Sequence, residues 1–411
     1  MNPDDPQTMN GRKTRASIGR SVRSERALLH CIVTVDYELP AGGRGDVRYH
    51  MIEPTARLLD VCEAHDARLT VMAEVGEIQA FEGQSREAYA AASGYEPSEE
   101  IRGQLVSAVR RGHDVQLHLH PQWRGARWRD DHWDLDYRRY QLTDSTFDEA
   151  VDLLRSGKRY LDDLLKPQVS DYSCIGFRAG NWNTQPAEFY LAALRQAGLR
   201  SDTSVFKWGY ARSDAANFDY RAAHSHFRAW YASDTDINRL GETSGIIEVP
   251  IATLLVPVSR MLTLTRLRRA FTYLSEDKSV RSAIRGVSAD VPRAQGAESP
   301  QRRLSRRFSR RLFRRRAKKL DFCKLSAREM GSMLRVFVEQ AAANDDDHPT
   351  PLVLIGHSKQ RGAERSLERF LRLAKQRFGD ALIFSNYRDF VEKYRESPSV
   401  GTTPCRREAS L

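Results

Sequence analysis

Hydrophobic and polar positions along this chain switch repeatedly between two periods. Short, nearly continuous apolar runs at Leu28–Glu38, Arg68–Val75, Asp114–His120, Cys174–Ala179, Ser201–Phe206, Ile246–Leu255, Leu352–His357 and Ala381–Ser385 read as strands. Between them, Pro54–Ala64, Ser98–Arg111, Phe147–Leu165, Pro186–Gly198, Ala327–Ala343 and Arg365–Phe378 carry apolar residues at helical spacing. Strands alternating with helices at this interval predict an α/β fold of parallel strands joined by crossover helices. Seven or eight such units are enough to close a barrel.

Two of the runs end on chemistry. The first closes on Asp36 and Glu38, and the third closes on His118 and His120. Extended backbone turns residues i and i+2 to one face, so each pair projects together from a strand end. Carboxylates and imidazoles at the ends of separate parallel strands are how a barrel assembles a metal site. A divalent ion on one carboxylate and two imidazoles keeps a position open for water, while a second carboxylate serves as general base. Glu38 as ligand and Asp36 as base is the preferred division, and the two roles are exchangeable. The chain thus reads as a metallohydrolase.

Two later segments extend the constellation. Gly176–Trp182 follows another strand, and Arg178 there would hold an aspartate ionised and oriented, as a base requires. Trp182, expected to be exposed on the next loop, offers a flat apolar wall suited to a sugar ring. Leu352–Lys359 delivers His357 at a strand end, where an imidazole can protonate a leaving amine. Ser358 lacks the strand–GxSxG–helix context of a serine nucleophile.

Strand-ending TxDxE, GHDVxxHxH, FRxGxW and a late strand ending in His occur here in that order, and together they resemble the polysaccharide deacetylase (NodB-homology, carbohydrate esterase family 4) superfamily. The resemblance covers roughly residues 28–260 and 320–395. It implies a distorted (β/α) barrel that removes acetyl groups from N-acetylated sugars with a divalent metal ion, commonly zinc. By the same resemblance Asp36 matches the catalytic base, His118 the first metal histidine, Arg178 the arginine that orients the base, Trp182 the pocket aromatic and His357 the general acid. Asp202 matches an acidic motif that supports this histidine. Two departures stand out. Asp36-Tyr37 replaces an adjacent Asp-Asp, which moves the metal carboxylate to Glu38. Gln122 stands four residues after His118, so either His120 supplies the second imidazole or Gln122 ligates weakly through its carbonyl.

Composition changes the picture in one place. The formal net charge is +11, and residues 301–320 alone carry eleven Arg and Lys with no acid, so the rest of the chain sums to zero. Within that segment Leu304, Phe308 and Leu312 recur every four residues, as in a cationic amphipathic helix suited to an anionic membrane leaflet, with nucleic acid the less favoured partner. Five scattered cysteines without a CxxC pair, and an N-terminus without an apolar stretch, point to a cytoplasmic protein, peripheral at the inner membrane face if the basic segment binds lipid. The expected organisation is a disordered tail over 1–26, a barrel over 27–258 and 320–395, a basic insertion over 259–319 and a second tail over 396–411. The expected activity is metal-dependent removal of an N-acetyl group from a sugar in surface-polysaccharide or lipopolysaccharide metabolism. The rivals are hydrolysis of a non-peptide C–N bond in a small metabolite, and an inactive barrel that binds glycan or membrane.

Overall fold

The structure, a computed structural model, describes residues 29–40, 42–242, 245–261, 315–343, 348–360 and 362–397. Its strands are β1 (Leu29–Tyr37), β2 (Leu69–Glu74), β3 (Asp114–Leu119), β4 (Gly176–Ala179), β5 (Ser201–Asp202), β6 (Trp230–Ser233), β7 (Asp236–Leu240), β8 (Ile247–Glu248), β9 (Thr253–Pro257), β10 (Arg315–Lys319), β11 (Thr350–His357) and β12 (Leu382–Phe384), besides two short antiparallel ribbons in loops. One sheet runs β7-β6-β8-β5-β4-β3-β2-β1-β11, with β12 also paired to β1. From β8 through β11 every pairing is parallel, while β6 and β7 extend one edge antiparallel.

The sheet curls into a distorted (β/α) barrel. Its edges meet through single bridges rather than a ladder, Ile251 to Val353 and Asp321 to Ile355. Backbone bonds from Ala252 N to Val353 O (3.1 Å) and from Ile355 N to Leu320 O (3.0 Å) hold this seam. All nine residues of β1 are buried, the pattern of a parallel strand covered on both faces.

The helices are α1 (Glu53–Glu63), α2 (Val75–Glu82), α3 (Arg86–Ser93), α4 (Ser98–Arg110), α5 (Phe147–Leu165), α6 (Ala187–Gln196), α7 (Ala327–Ala342), α8 (Ala363–Phe378) and α9 (Tyr387–Glu396). Local sequence explains their starts. Thr146 and Glu149 form a reciprocal capping box at α5, and Ser326 and Glu329 do the same at α7. On α9 the buried Tyr387, Phe390, Val391 and Tyr394 follow the i, i+3, i+4, i+7 stripe of a helix packed by one face.

Several expected elements differ. Ser201–Phe206 keeps ladder pairing only at Ser201 and Asp202, because the Asp202 carboxylate accepts from Ser204 N at 2.9 Å and turns the chain. Ile246–Leu255 is two strands parted around Pro250, which has no N–H to give a ladder. Helices α2, α3 and α9 were not foreseen. At the end of the basic segment, Arg315–Lys319 is a strand, paired antiparallel with Thr253–Pro257 in a two-stranded ribbon separate from the main sheet. Leu304, Phe308 and Leu312 lie outside the described residues, as do nearly all of both proposed tails. Among the described residues no helix is long and apolar enough to cross a membrane.

Candidate active site

Strand register assembles the site. Asp36 stands opposite His357 between β1 and β11, and Glu74 stands opposite His118, which stands opposite Arg178, across β2, β3 and β4. Partners in a parallel ladder point to the same side, so these residues converge at the C-terminal ends of the strands.

Arg178 is fully buried and its guanidinium is committed inward. Nη1 donates to Asp36 Oδ1 at 2.6 Å, Nη2 to Thr34 Oγ1 at 2.9 Å and Nε to Thr203 O at 3.0 Å. Asp36 Oδ2 remains, facing His357 Nε2 at 3.5 Å. Burial works to raise the Asp36 carboxyl, but Arg178, His357 and His118 outweigh it and hold the group below the usual aspartate range. Burial lowers His357 to about 4 despite Asp36 beside it, so the imidazole rests neutral.

The second half of the site is a four-residue cluster. Glu38, Glu74, His118 and His120 each offer a ligand atom, all within 4.8 Å of one another. His118 Nδ1 lies 2.8 Å from the backbone carbonyl of Arg178, which can only accept, so Nδ1 carries a proton and Nε2 faces inward. That Nε2 is buried with no hydrogen-bond partner, 3.6 Å from Glu38 Oε2 and 4.0 Å from Glu74 Oε2. Burial opposes charging this imidazole, but Glu38 and Asp36 raise it above its usual value, so Nε2 is satisfied either by a proton or by a metal cation between it and the two carboxylates. The residues therefore fit a divalent ion, and the mixed imidazole–carboxylate set suits zinc or a similar transition metal. Asp36, Glu38 and His357 form a second candidate group, but Asp36 is already engaged by Arg178.

Glu74 escaped the sequence reading. It is the last residue of β2 and the N-cap of α2, where Oε1 accepts from Gly76 N at 3.2 Å and Oε2 meets His120 Nδ1 at 2.8 Å. Burial, with Glu38 close by, raises its carboxyl well above the normal range, so the Glu74–His120 pair shares a proton that a metal ion would displace. Lys359 is the second unforeseen member, its Nζ 2.6 Å from Glu38 Oε1. Burial alone would raise Glu38, yet Lys359, His120 and His118 keep it well below the usual carboxylate range. Gln122, weighed above as a weak ligand, is buried on the turn after β3.

Two expectations need correction. Asp202 does not support His357: its carboxylate accepts from the Tyr190 hydroxyl at 2.5 Å and from Ser204 Oγ at 2.9 Å, and it bonds to Glu248. Asp202 lies on β5, on the far side of Arg178, and among carboxylates it is Asp36, Glu38 and Asp321 whose charge reaches His357. Nor is Trp182 an open wall. Asn181 (φ 53°) and Trp182 (φ 57°) both take left-handed backbone, turning the indole over the pocket, where the Lys319 ammonium sits 3.3 Å from its ring centroid. Phe206 packs against the same indole at 5.7 Å.

No family model matches the chain, and no curated protein matches it. Solved structures do. A Mycobacterium smegmatis protein named as a polysaccharide deacetylase is 12% identical, with a TM-score of 0.45 over 94% of this chain and 96% of that one. Puue allantoinase is 13% identical, with a TM-score of 0.43 over 95% and 98%. A polysaccharide deacetylase from Bacillus cereus is 10% identical, with a TM-score of 0.34 over 88% and 92%. The chain is thus similar along most of its length to polysaccharide deacetylases and to an allantoinase.

Proposed function

We propose that this chain is a metal-dependent hydrolase that removes an N-acetyl group from a sugar. The observation that carries the reading is the buried, unpartnered His118 Nε2 turned toward Glu38 and Glu74, beside an arginine-held Asp36. A divalent ion held by Glu38, Glu74, His118 and His120 would polarise the acyl oxygen and acidify water. Asp36 takes the proton of the attacking water on Oδ2, the oxygen Arg178 leaves free. Water oxygen bonds to the acyl carbon, and collapse of the tetrahedral centre breaks the C–N bond. His357 Nε2, 3.5 Å from that Oδ2, is the group within reach to pass the proton to the departing amine. A setting in surface-polysaccharide or lipopolysaccharide metabolism follows from the motif resemblance alone.

The test is acetate release from N-acetylated sugar oligomers by the full chain supplied with zinc. Release by wild type, reduced about 100-fold or more in Asp36→Asn, supports the reading. Hydrolysis of a small non-peptide C–N compound with no acetate from any glycan would favour the second reading, a small-metabolite hydrolase. Lys319 over the Trp182 ring, which occupies a face on which a sugar would stack, is the observation on that side.

A further inference from the structure

Among the described residues, the cations next to Asp36, Glu38 and the end of the β10 strand pair with acids, Lys319 excepted. Arg178 has Asp36, Lys359 has Glu38, Lys318 has Glu329 at 2.9 Å and Lys324 has Asp321 at 3.1 Å. Lys319 makes no ion pair with any described carboxylate. Its Nζ lies 3.3 Å from the Trp182 ring centroid and 4.2 Å from that of Phe206, held by two aromatic faces. The side chain is half-buried, so the amine is neither fully solvated nor neutralised by an acid. Its backbone position is fixed, because Lys319 pairs with Thr253 in the β9–β10 ribbon and the chain then runs straight into the barrel seam through Leu320 and Asp321.

Trp182 links this amine to the reacting centre. Its ring meets the His357 ring edge-on at 6.5 Å between centroids, and His357 faces Asp36. The indole carries the imidazole as one neighbour and the lysine as another. The penalty of burial, with Lys324 nearby, lowers this lysine to about 7 even though Asp321 and Asp36 pull it the other way. An anion delivered to the pocket would remove that penalty.

From this geometry we infer that Lys319 is a specificity residue that binds an anionic substituent, carboxylate or phosphate, on the sugar whose acyl group reacts at Asp36. The inference rests on the proposed sugar-binding role of the pocket. Lysine acts as a point charge toward either anion, so its position fixes the sign of the substituent and the experiment distinguishes the chemistry.

The experiment is calorimetric binding to the intact full chain of three probes: N-acetylglucosamine, its 6-carboxylate (the uronate) and its 6-phosphate. Wild type, Lys319→Met and Lys319→Arg are compared, with circular dichroism to confirm that each is folded. The expected result is at least about tenfold tighter binding of one charged probe than of the neutral sugar, a preference lost in Lys319→Met and retained in Lys319→Arg. Whichever charged probe binds tighter identifies the substituent. Equal binding of all three probes, no binding of any, or a charge preference that survives Lys319→Met overturns the inference. Acetate release by wild type reports separately on the deacetylase reading, so either proposal can fail while the other stands.

Discussion

Arg178 and Asp36 form a buried ion pair, Nη1 to Oδ1 at 2.6 Å, in which the guanidinium is wholly enclosed and its other donors are spent on Thr34 and Thr203. Breaking such a pair from one side leaves a buried charge without compensation, at a cost of about 3–5 kcal/mol. Arg178→Met should lose about that much stability by urea unfolding. Arg178→Lys keeps a charge but cannot span Asp36, Thr34 and Thr203 at once, and it should fold. Because Arg178 holds the Asp36 carboxyl low, weakening the pair should move the acidic limb of the kcat/KM profile to higher pH. An unmoved limb in Arg178→Lys would mean that Asp36 is not the titrating base.

Lys359 and a metal ion would share Glu38, the ammonium on Oε1 and the ion toward Oε2. Two cations on one carboxylate repel each other. Lys359→Met should therefore tighten zinc binding, by about tenfold in competition against a chromogenic chelator. Weaker binding in that variant would show instead that Lys359 braces the ligand.

Gly180 opens the loop that carries Trp182, and a Cβ there would lie 2.5 Å from His120 Cδ2 and 2.7 Å from Leu119 O. The backbone oxygen cannot move far, so the imidazole must. Gly180→Ala is expected to cost about 1–3 kcal/mol in stability and to weaken metal binding by at least tenfold, read by calorimetry.

His113 is a test of the scaffold away from the chemistry. Its Nδ1 accepts from Leu69 N at 3.0 Å, and burial lowers the imidazole to about 4. The unfolded chain binds that proton near pH 6.5, so the stability from this group is present above pH 6.5 and is lost as pH falls toward 4. Between pH 6.5 and 5 the loss should be about 1.5 kcal/mol from His113 alone. His113→Asn should flatten the urea-midpoint profile over that window, and an unchanged slope would refute the assignment.

What the sequence disclosed and what it withheld have physical reasons. Asp36, Glu38, His118, His120, Arg178 and His357 were legible because each sits at or near the end of an apolar run, where period and polarity change together. Glu74 ends such a run too, but a single acid before Val75-Gly76 carries no spacing signal, and its role appears only when β2 lies beside β3. Lys319 was hidden inside the arginine-rich stretch, whose composition spoke for the segment and not for its last residues. Asp202 was misjudged because a two-residue strand turns its carboxylate back to Ser204 and Tyr190. Trp182 was misjudged because its exposure depends on a lysine more than a hundred residues away in the chain.

The central claim is that Glu38, Glu74, His118 and His120 hold a metal ion, and the most direct measurement is zinc content of the purified full chain by elemental analysis after equilibration with zinc and desalting. The account predicts close to one equivalent in wild type, and loss of that equivalent in folded His118→Ala and Glu74→Gln. Folded wild type that retains no zinc or other divalent ion, or a Glu74→Gln variant that retains it unchanged, would contradict the site as described.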